Sequence, residues 1–87
     1  MAEKKVVLTV GKDDIAFKVT SDNYNRYINE IKADDKVMPA KRFLRRSLVD
    51  KAQRELLDDW SDRGQLMPML TRVVEEFQGD IQIEVKK

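Results

Sequence analysis

The chain has no cysteine and no histidine. These two absences exclude a disulfide framework, a thiolate nucleophile, a Ser-His-Asp triad and the usual zinc ligands, and with them most familiar enzyme chemistry. Carboxylates remain, but 16 acidic residues interleaved with 17 basic ones have the pattern of solvated helix faces. The adjacent acids Asp34-Asp35 and Asp58-Asp59 would point to different sides of a helix and make poor metal clusters. Glycine is scarce, and Gly11, Gly64 and Gly79 each sit at a turn or helix end, so no phosphate-cradling loop is present. No apolar run approaches the roughly 18–20 residues that cross a bilayer. The run Val6 to Val10 after Met1-Ala2-Glu3-Lys4-Lys5 is too short for a secretory signal and lacks a small-residue cleavage site. The expectation is a cytoplasmic, non-enzymatic protein without cofactor, metal or membrane segment.

Eighty-seven residues are expected to form one domain, spanning 1–87, with a single modest core. At this size folding removes only about 60% of the unfolded chain's surface from water, so a partner, or a homo-oligomer, would add stability. The net charge of +1 conceals an uneven distribution. Residues 1–35 carry six basic and seven acidic residues, residues 36–54 seven and one, and residues 55–87 four and eight.

In chain order, Val6–Val10 and the alternating Ile15-Ala16-Phe17-Lys18-Val19, separated by Gly11-Lys12-Asp13-Asp14, predict a β-hairpin. Val6, Leu8, Val10, Ile15, Phe17 and Val19 share its apolar face, with Thr9 and Lys18 outward. Thr20 and Ser21 can cap a helix, and Asp22 suits its positive end. That helix runs to about Ala33, with Tyr24, Tyr27, Ile28 and Ile31 as its buried stripe. Asp34-Asp35-Lys36 breaks it. Pro39 starts a second helix, where a missing N–H costs nothing. Asp50-x-x-Gln53 resembles a capping box for a third helix from about Lys51, with Ala52, Leu56, Leu57 and Trp60 inward and Lys51–Glu55 and Arg54–Asp58 as i,i+4 pairs. Gly64 closes it. A fourth helix, about Gln65 to Gln78, carries the stripe Leu66, Leu70, Val73, Val74 and Phe77, with Pro68 in its first turn. Ile81-Gln82-Ile83-Glu84-Val85 alternates strictly and should complete a three-stranded sheet, Ile81, Ile83 and Val85 inward. The predicted class is α+β: an N-terminal hairpin, about four helices and a C-terminal strand.

Two binding functions of different kinds fit these elements. A protein-binding module would leave an apolar groove between its helices for another chain. A nucleic-acid-binding or regulatory protein would instead use the basic helix around residues 41–46, where Lys41, Arg42, Arg45 and Arg46 flank Phe43 and Leu44, with Lys36, Lys51 and Arg54 nearby. The ordinary use of such a charge run is a solvated face. The near-neutral total disfavours nucleic acid, as does the lack of aromatics among the basic residues beyond Phe43, itself expected to be buried.

The stretch Phe17-x-Val19-Thr20, Tyr24-Asn25-x-Tyr27-Ile28-Asn29, Lys36-Val37-x-Pro39-Ala40 and Phe43-Leu44 resembles the small tail assembly chaperones of long-tailed phages. The likeness covers nearly the whole chain and carries no catalytic signature. It implies a protein of an infected or lysogenic bacterium that binds the tape measure protein, shields its apolar helical segments, helps to recruit tail-tube subunits, and is absent from the finished particle.

The resemblance brings no set of binding residues, so candidates come from the residues themselves. A holding chaperone needs apolar area left exposed until its client arrives. Met67 and Met69, off the centre of their helical stripe, are either gap fillers at helix contacts or adaptable surface. Met38, Phe43, Trp60, Met67 and Met69 are the candidate border of a client groove, and Lys41, Arg42, Arg45 and Arg46 the candidate basic docking patch.

Overall fold

A computed structural model describes residues 3–32, 34–79 and 85–86. It shows an α+β fold in which a β-hairpin is followed by four helices. Strands β1 (Glu3–Val10) and β2 (Asp13–Thr20) pair antiparallel, with Val6 opposite Phe17 and Leu8 opposite Ile15. The register puts the expected apolar residues on one face: Val6, Ile15, Phe17 and Val19 are buried, while Thr9 and Lys18 are exposed. The strands extend further than the apolar pattern indicates, leaving only Gly11 and Lys12 in the turn. Gly11 has a φ of 63° and no described non-glycine residue has a positive φ, the combination a tight type II′ turn demands.

Helix α1 (Ser21–Glu30) starts where Thr20 Oγ1 accepts the Asn23 N–H at 3.1 Å, as an N-cap should. It ends before the expected Ala33. Ile31 is already extended, and Lys32 and Asp35 exchange two backbone hydrogen bonds in a tight turn. Acids at 34 and 35 would oppose the negative end of a longer helix. Asp35 serves the next helix instead, accepting the Met38 N–H at 3.3 Å. Helix α2 therefore begins at Val37, two residues before Pro39, and runs to Ser47.

Asp50 caps the following 3-10 turn, Lys51–Gln53, by accepting the Ala52 N–H. The reciprocal half of the expected capping box is absent, because the Gln53 amide donates to the Asp14 carbonyl and ties this turn to the hairpin. Helix α3 (Arg54–Asp62) follows. Its expected i,i+4 pairs are replaced by cross-helix contacts: Asp58 binds Arg45, and Lys51 Nζ donates to the carbonyls of Arg45 and Arg46. Ala52, expected inward, is exposed. At the end of α3, the Gln65 and Gly64 N–H groups return to the Trp60 and Ser61 carbonyls, a Schellman closure with Gly64 at positive φ.

Helix α4 (Leu66–Gln78) lies against β1, and α2 lies against β2. Helix α2 also packs on α1, α3 and α4, which makes it the centre of the described fold. Its Ala40, Phe43 and Leu44 are fully buried with Ile15, Phe17, Val19, Leu57 and Val73. Phe43 stacks on Tyr27 with ring centroids 5.0 Å apart and meets Tyr24 edge-on at 6.5 Å. The outer edge of β2 is covered after α2, where Val49 N–H donates to the Ala16 carbonyl at 3.0 Å. The expected last strand, Ile81–Val85, lies outside the described residues except for Val85, which is exposed rather than inward.

Candidate functional site

Two surfaces stand out, one where α2 meets the 3-10 turn and one between α1 and α4. The first is an open cleft of about 600 Å³ lined by Arg42, Arg45, Arg46, Leu48, Lys51 and Arg54. The last turns of α2 project the three arginines, and the bend through Leu48 into the 3-10 turn brings Lys51 and Arg54 beside them. Lys51 closes the C-terminus of α2 at 3.1 and 3.0 Å from its carbonyls, where a cation is favoured by the helix dipole. Lys41 and Lys36 are not among the lining residues, whereas Lys51 and Arg54, expected only as neighbours of the basic helix, are.

Carboxylates compensate only part of this charge. Glu30 receives Arg26 Nε and Arg42 Nε, each at 3.1 Å, and Arg46 Nη1 at 3.6 Å. Arg45 Nη2 reaches Asp58 Oδ1 at 2.9 Å. Burial pushes the Glu30 carboxyl upward, but the Arg46 charge and the Arg42 and Arg26 contacts outweigh it and hold the pKa below its ordinary value. Burial lowers the Arg46 pKa, opposed by Glu30 and reinforced by the neighbouring Arg26 and Arg42 charges.

Arg46 is also fixed from inside the fold. Its Nε donates to Asn23 Oδ1 at 2.6 Å, Asn23 Nδ2 donates to Ser47 Oγ at 2.7 Å, and that hydroxyl donates to the Phe43 carbonyl at 2.9 Å. Arg46 Nη2, by contrast, is shielded from solvent and has no acceptor among the described residues. Arg54 has no ion-pair partner among the described residues, and Lys51 is satisfied by carbonyls alone.

The second surface is a shallow apolar groove of about 290 Å³ between α1 and α4. Tyr24, Tyr27, Ile28 and Ile31 form one wall, and Leu70 and Val74 the main apolar part of the other. The apolar stripe of α1, expected to be buried along its length, is buried only on one side. Tyr27 is in the core, but Ile28 remains 45% and Ile31 36% exposed. Burial raises the Tyr27 pKa, with a smaller push from Tyr24.

The five apolar candidates separate rather than converge. Phe43 is wholly buried at the centre of the core, and Met69 is 4% exposed beside a small depression formed by β1 and α4. Trp60 is half-buried over the hairpin turn, its ring 3.0 Å from where a Cβ on Gly11 would stand, with the Arg63 guanidinium 5.3 Å from the ring centre. Only Met38 and Met67 present substantial surface, each in the first turn of its helix. Neither Ile28 nor Ile31 was among the candidates, because their helical spacing signals an amphipathic stripe without saying how much of it the fold covers.

The described residues form a small α+β fold that carries a basic cleft and an apolar groove. The sequence pattern of the phage tail assembly chaperones matches residues 6–87, nearly the whole chain. The chain belongs to the phage tail assembly chaperone family. No curated protein and no solved structure matches it. No helix among the described residues is long and apolar enough to cross a membrane.

Proposed function

We propose that this tail assembly chaperone binds the tape measure protein and shields its apolar helical segments during tail assembly, without catalysing a reaction, in the cytoplasm of the bacterial host. The observation that carries this reading is the uncovered half of the α1 stripe, Ile28 and Ile31, at the rim of the α1–α4 groove. An amphipathic client helix laid there would cover both isoleucines and Val74, the helix-in-groove mode of peptide recognition. Exposed Met67 lies on the Thr71–Val74 side of α4, one turn earlier, and extends the apolar path with an adaptable side chain.

Co-expression with the tape measure protein of the same phage tests this reading. Expected is a soluble client that co-purifies with this domain and loses solubility without it. A tape measure protein that precipitates in both cases, while this domain stays soluble, refutes client holding. Pull-down of tail-tube subunits in the presence and absence of the client would show whether recruitment follows.

A further inference from the structure

The basic cleft has features that solvated charge does not require. Five cationic residues surround it, while Glu30 and Asp58 are the carboxylates that pair with them, and Glu30 is shared with Arg26 outside the cleft. The arginines are held in place rather than free: Arg45 by Asp58, and Arg46 by the Asn23–Ser47–Phe43 chain of hydrogen bonds. Fixed guanidinium groups lose little freedom on binding, and their planar donors match carboxylates. Among the described residues, Arg54 and Lys51 have no carboxylate partner and Arg46 Nη2 has no acceptor.

We infer that the cleft between the C-terminal turns of α2 and the 3-10 turn is a docking site for an acidic peptide segment of a partner protein. Carboxylates of that segment meet Arg42, Arg54 and Lys51, and an apolar side chain between them rests against Leu48. The charge favours a peptide over nucleic acid. Helix α3 borders the cleft through Arg54, and its exposed Glu55, Asp59 and Asp62 confine the basic surface to the cleft, enough for a short acidic segment but not for the continuous basic track that a phosphate backbone follows. The cleft also lacks an aromatic platform, since Leu48 is the apolar residue lining it, whereas single-strand binding relies on bases stacked on rings. The site is independent of whatever the α1–α4 groove holds.

The test is fluorescence anisotropy with a labelled peptide of alternating glutamate and leucine, beside its glutamine counterpart and labelled oligo-dT. The glutamate peptide should bind more weakly as salt rises, and the glutamine peptide should not bind. Arg42→Gln with Arg54→Gln should weaken binding roughly tenfold, the order expected for two lost solvent-exposed ion pairs. Lys12→Gln with Lys86→Gln removes the same charge at exposed positions and should leave binding unchanged. Amide chemical-shift changes in the unaltered protein should centre on Arg45, Arg46 and Leu48. Absence of peptide binding, equal loss in both double variants, or shift changes centred elsewhere would overturn the assignment. Tighter binding of oligo-dT that the Arg42/Arg54 variant abolishes would overturn it in favour of a nucleic-acid site.

Discussion

Replacing Ile28 and Ile31 together by lysine separates client binding from folding. Full burial of an isoleucine side chain contributes about 1.5–3 kcal/mol. With 45% of Ile28 and 36% of Ile31 still in water, a client helix covering both would gain about 1.2–2.4 kcal/mol from them, roughly a 7- to 50-fold change in Kd. Lysine keeps an apolar stem over the inner part of each site while its ammonium occupies the client's place. Folding should therefore weaken by less than about 1 kcal/mol per site, the scale of changes at partly exposed positions. The assay is soluble client yield on co-expression, paired with a thermal melt of the domain alone. Val7→Lys is the control: Val7 is 55% exposed, more than either isoleucine, but lies on the hairpin's outer face. Undiminished client yield with Ile28→Lys/Ile31→Lys, or an equal loss with Val7→Lys, would refute the groove as the holding surface.

Met69→Ala should lower stability by about 2–5 kcal/mol, because the side chain is buried and leaves a cavity, whereas Met67→Ala, 40% exposed two residues earlier, should cost less than half as much; denaturant melts that show equal losses would contradict the orientation of α4. Gly11→Ala forces a positive φ that costs an L-residue about 1–2 kcal/mol, and adds a Cβ 3.0 Å from Trp60 Cζ2; an unchanged unfolding midpoint, followed by tryptophan fluorescence, would exclude that turn geometry. Glu30 has a folded pKa below its ordinary value, so its stabilising contribution is present above the ordinary carboxylate range, about pH 4.3, and is lost as pH falls through the lowered value. Glu30→Gln should flatten the acid limb of the stability profile between those two points, and an unaltered acid limb would show that the three arginines do not depend on this carboxylate.

The elements were legible wherever local chemistry decides local structure. Alternation set the hairpin and its face, Thr20 set the start of α1, and Gly64 set the close of α3. Errors arose where a side chain had two uses and the distant one prevailed. Gln53 could reach back to Asp50 but binds the Asp14 carbonyl 39 positions away. Asp58 could pair with Arg54 on its own helix but takes Arg45 from α2. An i,i+4 pair on an exposed helix contributes only a few tenths of a kcal/mol, too little to hold a side chain that a more sheltered partner, here Arg45 with two nitrogens on Asp58 Oδ1, can reach. The end of α1 illustrates the same limit: the polar run 34–36 marked a break, while the Lys32–Asp35 turn that places it at Glu30 rests on backbone hydrogen bonds.

The candidate site was harder to read because helical spacing reports direction and not coverage. Tyr24, Tyr27, Ile28 and Ile31 recur as a core stripe does, yet α2 covers one side of it through Phe43 while α4 reaches only part of the other. Methionine left gap filling and adaptable surface open at both 67 and 69, but the roughly 100° step per residue of a helix carries these two positions to different sides, so that Met69 is buried beside β1 and Met67 is exposed. The basic patch was more legible, since charge density needs no depth to be counted. What the sequence could not show is that the chain bends at Leu48, bringing the neighbouring Lys51 and Arg54 into one concave site with the α2 arginines while Lys41 stays out of it. A flat basic face would attract acids from every direction; the bend makes this one concave and sets Leu48 among its cations.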